Sequence, residues 1–388
     1  MLALRLTLGT HPLVLLRRLG VAAASAGAGF LLLCALGYAV GHPGESQAAL
    51  RRLLWCVLPL AATVHFAVAV ARTDPSTRPR TGLSALGLGP ARLAALAAAS
   101  TAVSCTLGSA VALLVFLHLR GDLTGLPFDG AAAELLASGQ PLPPAATVTL
   151  LAVVPFAASV AAGLTLRPRR KPLPEKGAAP AVEDRAAPPR RTPAAPGGLP
   201  WGVALIAVGL AIETYAAKGT SGAAVTLPRE VLAGWVLASL GLALAGPGIT
   251  HLCGRLLQAL RPGATRLLAG RALMEEASRI GRPLGVASAV AAATLTATTL
   301  YADGGERPYG PLTGLGAGLV LGCTAATLLM AALESRQTRA DTKEALLRLG
   351  ASRALLRTAA GVRALALLVV FAPLTWAVAA LAVLPLRG

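Results

Sequence analysis

The chain has 388 residues, of which 55% are hydrophobic and only 13% are charged, and its mean hydropathy is +0.67. A soluble globular domain carries about 25% charged residues, so this composition excludes a soluble enzyme, a disordered protein and a disulfide scaffold. The formal net charge is +18, but the basic residues form clusters between long apolar runs, which excludes a nucleic-acid-binding face. The class that remains is an all-α, polytopic integral membrane protein.

Nine apolar segments are long enough to cross a bilayer. A spanning helix needs about 20 mostly apolar residues, and the bilayer core offers no water to unpaired backbone groups, so each segment is predicted to be a helix. The first segment is too long for the apolar core of a cleaved signal peptide. The predicted spans 1 to 9 cover residues 20–41, 53–71, 93–118, 146–166, 201–217, 230–248, 284–301, 312–333 and 364–386.

Lys and Arg predict the orientation of these spans. With the N-terminus in the cytoplasm, 28 of the 35 basic residues lie in the inner segments and 7 in the outer ones. Cytoplasmic loops carry this excess in membrane proteins. We therefore expect a multi-pass protein of the cell membrane with a cytoplasmic N-terminus and an external C-terminus, whose basic segments favour anionic membrane lipid.

The chain divides into two units with a linker and an insertion between them. Pro, Ala and charged residues dominate the linker, which is predicted to be flexible and cytoplasmic. The outer loops are short, and none is long enough for a substantial folded domain. The predicted parts are residues 1–166 (first unit, four spans), 167–200 (linker), 201–250 (two inserted spans) and 251–388 (second unit, three spans).

Two sequence matches at nearly the same offset indicate that the two units are duplicated. Residues 18–22 (RLGVA) correspond to 283–287 (PLGVA), and residues 81–93 correspond to 342–354. The second match follows span 2 in the first unit and span 8 in the second. Each unit therefore contains a basic segment before its first span and a cytoplasmic element between its second and third spans.

The cytoplasmic element of the second unit is predicted to be a short helix along the membrane surface. Asp341 and Glu344 have the spacing of a capping box, which predicts a helix start near Thr342. Gly350 suits the left-handed position that ends a helix, and Ser352 can cap the helix that continues into span 9. The element could be a simple surface anchor or a docking surface, and its repetition favours docking.

The segment 334–357, ESRQTRADTKEALLRLGASRALLR, resembles the hallmark of the FtsX-like permease family, the membrane subunits of MacB/FtsX-type ABC transporters. In that family an Arg/Glu-rich stretch leads into a leucine-rich helix, then Leu-Gly-Ala-Ser-Arg, then a span. The first copy, Leu88-Gly-Pro-Ala-Arg92, is similar in a degenerate form. The chain departs from the family in lacking a large extracellular domain and the last span of the second unit.

The resemblance implies a permease subunit that works with a separate ABC ATPase, usually a dimer, and allows a homo- or hetero-oligomer of the permease. The cytoplasmic helices would couple ATP hydrolysis to movement of the spans, for export, extraction of lipids or peptides, or mechanical transmission. The residues expected at the coupling surface are Glu344, Leu346, Leu349, Gly350 and Arg353, with Leu88, Gly89 and Arg92 in the first copy.

No catalytic, metal or cofactor motif is present in the sequence. It contains no G-x-x-x-x-G-K-[ST] phosphate loop, no H-E-x-x-H and no G-x-S-x-G, so we expect no enzyme activity in this chain. The cysteines form no C-x-x-C pair and are expected to pack structurally. They are Cys34, Cys56, Cys105, Cys253 and Cys323.

Two ionisable residues are predicted to lie inside spans. Such residues are functional hypotheses by default. His65 in span 2 is either functional or a neutral imidazole bonded to a neighbouring helix. Glu213 in span 5 is either functional or reaches the outer interface beside Tyr215 and Lys218.

Two other functions compete with the permease. A secondary transporter with duplicated halves would need broken helices and charged groups at the midplane, and His65 is the main candidate for such a group. A non-transporting scaffold or signalling partner is favoured by the absent extracellular domain and the missing span.

The orientation can be tested with a reporter that is active only in the cytoplasm. Fused after Lys176 it should be active, and fused after Gly388 it should be inactive. The reverse pattern would contradict the orientation, and activity at both positions would contradict an odd number of spans.

Overall fold

The computed structural model confirms an all-α membrane protein. Its described residues are almost entirely helical and contain no strand. Nine helical segments among them are long and apolar enough to cross a membrane, as predicted. The structure describes residues 12–73, 90–123, 130–134, 136, 138–167, 196–218, 229–259, 263–300, 310–350 and 352–387.

Eleven helices make up this described part of the chain. Span 2 consists of α2 and α3, and α10 is the short helix between spans 8 and 9. Each other span is a single helix, which is α1 for span 1, α4 to α9 in order for spans 3 to 8, and α11 for span 9. The bounds are α1 Pro12–Gly41, α2 Ser46–Trp55, α3 Val57–Thr73, α4 Pro90–Arg120, α5 Pro144–Leu166, α6 Gly198–Lys218, α7 Arg229–Ala259, α8 Ala264–Leu300, α9 Pro311–Thr338, α10 Ala340–Arg348 and α11 Arg353–Arg387.

Two of the spans whose first turn and N-cap residue the structure describes begin with a proline. Proline is favoured at the first helical position because its ring presets the helical φ angle and because the N–H it lacks would have no partner there. The sequence therefore marks the start of these two helices. The prolines are Pro144 of α5 and Pro311 of α9.

Span 2 is interrupted at Cys56, where α2 meets α3. Pro59 has no N–H and cannot donate the helical hydrogen bond to the carbonyl of Trp55. Because α2 begins at Ser46, most of the predicted outer loop 42–52 is helical.

Two helices of the second half are much longer than their predicted spans. Span 7 was expected over residues 284–301, but α8 has 37 residues and is about 55 Å long at 1.5 Å per residue. The hydrocarbon core is about 30 Å thick, so the charged first part of α8 extends out of the membrane. Residues 249–259 of α7 run beside it. We call residues 249–259 and 264–283 the stalk.

The first unit is a bundle around α1, which is the most buried of the nine spans. Two buried serines form hydrogen bonds between its helices. The Ser25 hydroxyl donates to the carbonyl oxygen of Cys105 at 2.8 Å, and the Ser109 hydroxyl donates to that of Leu151 at 3.1 Å. These bonds join α1 to α4 and α4 to α5, where the bilayer provides no other partner.

Helix α9 belongs to the second unit in sequence but packs into this first bundle. The side chain of Leu319 lies against Gly27 of α1. Cys323 lies 4.0 Å from the hydroxyl of Thr63 on α3, and Met330 joins the core formed by α1, α3, α4 and α5. The second spans of the two units are therefore in direct contact.

Glycines bring α6, α7 and α8 into backbone contact. A Cβ atom added to Gly241 of α7 would lie 2.7 Å from the carbonyl oxygen of Gly202 on α6. On the other face of α7, Gly246 is even closer to the carbonyl oxygen of Gly281 on α8, and a Cβ on Gly285 would lie 2.5 Å from that of Leu242. Small residues permit this close approach of membrane helices.

Helices that correspond in the predicted duplication have corresponding neighbours. In the first unit α1 packs against α4 and α3, and in the second α8 packs against α11 and α9. The inserted helices are attached to the second unit, since α7 packs against α8 as extensively as it packs against α6.

The glycine contacts predict which helix positions tolerate a methyl group. Gly241→Ala should lower stability by about 1–3 kcal/mol, because the added atom overlaps the backbone of α6. Gly322→Ala on α9, where an added Cβ meets nothing within 4 Å, is the matched control and should be neutral or slightly stabilising. Thermal unfolding of both variants in detergent measures the difference, and equal melting temperatures would contradict the close contact.

Candidate functional site

The predicted surface helix is present as α10, between α9 and α11. It has nine residues, Ala340–Arg348, which form about two and a half turns and a length of about 13 Å. Among the described elements it packs mainly against α9. It lies at the end of α9 where Arg339 contacts residues 264–283 of the stalk.

The predicted capping box is wrong. The helix begins at Ala340, its N-cap residue is Arg339, and no side chain caps it. Asp341 therefore lies within the helix instead of before it. Continuity with α9 through Arg339 moves the helix start ahead of the position that the Asp341–Glu344 spacing indicated.

The predicted end of the helix is confirmed. Gly350 has a φ angle of +88°, and its N–H donates to the carbonyl oxygen of Leu347 at 3.1 Å. A Cβ atom there would meet nothing within 4 Å, so glycine is required by backbone conformation and not by space. The hydroxyl of Ser352 accepts the N–H of Leu355 at 3.2 Å and caps α11 as predicted.

The coupling residues of the second copy lie on an open surface. Leu349 is 84% exposed, which is the largest exposure of any leucine that the structure describes. Glu344 pairs with Arg348 one turn later, with 2.6 Å between Oε1 and Nη2. Arg353 is exposed at the first turn of α11. The backbone of Leu346 is helical, but its side chain lies outside the described part of the structure.

The first copy is described only in part. Arg92 is exposed in the first turn of α4. Leu88 and Gly89 lie outside the described residues.

A contact that the sequence did not predict holds the start of α10 to the stalk. Arg339 donates from Nε to Glu276 Oε1, and its Nη2 donates to the carbonyl oxygen of Ala272 at 3.2 Å. The Glu276 side chain is only 10% exposed and that of Arg339 26%. We call these three residues the latch. The sequence marks the position of this ion pair, because Glu275 and Glu276 are the acidic residues of the otherwise basic segment 249–283.

The first unit has a similar connection. Arg17, near the start of α1, donates from Nη1 to the carbonyl oxygen of Thr73 at 3.4 Å. Thr73 is the last residue of α3. In both units an arginine thus joins the end of the second span to the segment that precedes the first span.

Glu213 does not reach the outer interface, so that interpretation is wrong. Its side chain is 1% exposed and lies against Gly234, where an added Cβ would be 2.5 Å from the Glu213 Cγ. Tyr215, two residues on, is 84% exposed on another face of α6. Neither carboxyl oxygen of Glu213 has a hydrogen-bond partner among the described residues, and burial without a partner is costly.

His65 is not bonded to a neighbouring helix within the described residues. Its side chain is exposed on α3, so the interpretation as a bonded core imidazole is wrong. The five cysteines are buried and free, in agreement with a packing role. The Cys56 thiol, for example, lies 3.6 Å from the carbonyl oxygen of Leu31.

No protein-family model, curated protein or solved structure matches the chain. A functional assignment therefore depends on the residues and contacts described above.

Proposed function

We propose that this chain is the membrane subunit of an ABC transporter of the FtsX-like type. In this proposal it couples ATP hydrolysis by a separate ATPase dimer to export, extraction or mechanical transmission across the cell membrane. Its N-terminus, linker, stalk and α10 lie in the cytoplasm, where the basic residues favour contact with anionic lipid.

The observation that carries the proposal is α10 with its exposed end. A short helix lies between two spans and is ended by a left-handed glycine, and it leaves Leu349 exposed on the protein surface. A helix of this size fits a groove on a soluble partner, which would cover the leucine. The sequence of this element is also the part of the chain that resembles the permease family.

The second support is that the chain has no phosphate loop of its own. Coupling to ATP by that chemistry requires a partner that supplies Lys and backbone N–H groups around the phosphates. The exposed Arg353 and the basic stalk provide charges toward such a partner. The Glu344–Arg348 pair is internally balanced, so Leu349 and Arg353 are the stronger candidates for direct contact.

One observation favours a second candidate function, a secondary transporter. Glu213 is a buried carboxyl without a described partner at the crossing of α6 and α7, and buried ionisable groups often mark ion pathways in membranes. Transport that is independent of ATP and lost in Glu213→Gln would support it. We favour the permease because α10 has no role in that alternative.

The proposal predicts a complex with an ATPase. The purified chain alone should not hydrolyse ATP. When it is co-expressed with ABC ATPase subunits from the same genome, one of them should co-purify in mild detergent, with two ATPase copies in the complex by light scattering. If none co-purifies, the chain is better explained as a scaffold or signalling partner.

The conformation of Gly350 predicts the effect of substitutions in the coupling element. Gly350→Val should abolish stimulation of ATP turnover, because a β-branched residue at this φ angle carries a cost of about 1–2 kcal/mol and redirects α11. Gly350→Asn is the matched control, since asparagine tolerates the left-handed region, and should retain most of the stimulation.

Leu349→Asp tests the same surface without changing the backbone. It should also abolish stimulation while membrane insertion stays normal. ATP turnover and complex formation are measured separately on each variant. Undiminished turnover in Gly350→Val and Leu349→Asp would reject a coupling role for α10.

A further inference from the structure

The glycine contacts hold α6, α7 and α8 together backbone to backbone, and we call these three helices the three-helix body. Where two backbones touch at glycine, backbone atoms set the separation of the helices, and they cannot change rotamer as a side chain can. On both faces of α7 the backbones are this close, at Gly202 and Gly241 on one side and at Gly246 and Gly281 on the other. Packed interfaces of this kind shift as units and do not deform continuously.

The three-helix body continues into the stalk. A Cβ added to Gly254 of α7 would lie 2.7 Å from the carbonyl oxygen of Gly270 on α8. The backbone contact seen within the spans is therefore maintained between residues 249–259 and 264–283. A displacement of the stalk would be carried to the spans α6, α7 and α8 together.

The latch is the place where this body meets the coupling element. Arg339 is the residue between α9 and α10, so its position determines the direction in which α10 leaves α9. Its planar guanidinium donates to a carboxylate and to a carbonyl oxygen on the same helix, which restricts its orientation as well as its distance. The low exposure of Glu276 reduces screening by water.

We propose that the Arg339–Glu276 latch transmits movement of α10 to the three-helix body, and that the inserted spans 5 and 6 move with span 7. This inference rests on the proposed function, because it assumes that a partner moves α10. Arg339 and Glu276 are positioning residues in it. They set the angle between α10 and the stalk and need not touch the ATPase.

The similar bond between Arg17 and Thr73 supports a mechanical role. It too joins the end of a second span to the segment before a first span, although its partner is a backbone carbonyl and not a carboxylate. Both units are thus tied at equivalent places. The second unit has the stronger, charge-assisted connection, and it is the one with the long stalk.

The test uses charge reversal and its rescue. Arg339→Glu and Glu276→Arg each place like charges at the latch, and the double variant restores an opposite pair in reversed order. We expect each single variant to lower ATPase-coupled turnover at least about tenfold, which corresponds to about 1.4 kcal/mol, and the double variant to recover most of it. Arg271→Glu with Glu275→Arg is the matched control, because that pair lies on the same helix at 3.8 Å and is more than half exposed.

A second measurement on the chain without ATPase separates the latch from the proposed function. Spin labels at Ser278→Cys on the stalk and Ala345→Cys on α10 report the distance between the two elements. The distance distribution should be narrow in the parent, broad in each single reversal and narrow again in the double variant. Arg339→Lys, which keeps the charge but not the planar fork, should broaden it partially and serves where a reversal fails to fold.

The outcomes are distinct. If the parent chain couples to no ATPase, the proposed function fails, while the distance measurement still decides whether the latch holds α10. If the parent couples normally and the single reversals do too, the latch proposal is overturned. Loss of turnover in the reversals without recovery in the double variant would also overturn it, since it would show that a specific residue and not the pair is required.

Discussion

Contact between helix backbones at glycine is the interaction on which the second half of this protein depends. Lipid tails are as apolar as leucine, so burying apolar side chains between membrane helices gives little net gain, and close van der Waals packing is decisive. Gly241 and Gly246 lie on opposite faces of α7 and bring α6 and α8 against it. The position of the stalk follows from this packing, and with it the position of Glu276 and the direction of α10.

The number and approximate places of the spans could be predicted from the sequence because the physical signal is strong. Long apolar runs have no other stable structure in a bilayer, and a proline such as Pro144 or Pro311 marks where a helix begins. The turn at Gly350 and the cap at Ser352 were also predictable, because each depends on one residue and its immediate neighbours.

Features that depend on distant residues could not be predicted in the same way. Arg339 and Glu276 are 63 positions apart, and each lies in a basic segment whose charges indicate topology. The interface interpretation of Glu213 depended on its position near a span end, but the side of α6 on which it falls is the side that meets Gly234. The sequence did not predict the full length of α8, because the part of a helix that lies in water carries charged residues. Charged residues end an apolar run in the sequence, but they do not end the helix.

The two units differ in how they join their spans to the aqueous side. The first has a compact bundle around α1 with hydrogen bonds between helices, whereas the second combines the three-helix body with α9, which lies in the first bundle. Helix α9 therefore touches both assemblies, and α10 follows it directly. A partner that engaged α10 would act at the boundary between them.

The prolines that begin α5 and α9 have a consequence for how the protein meets bilayers of different thickness. A helix that starts with proline is not easily extended backwards, because the residue before proline is driven away from the helical region. Pro144 follows an extended residue, Pro143, and Pro311 follows an extended residue, Gly310. These two spans do not readily gain a turn at those ends, so a thicker or thinner bilayer is matched there by tilting the whole helix, or by the lipid itself.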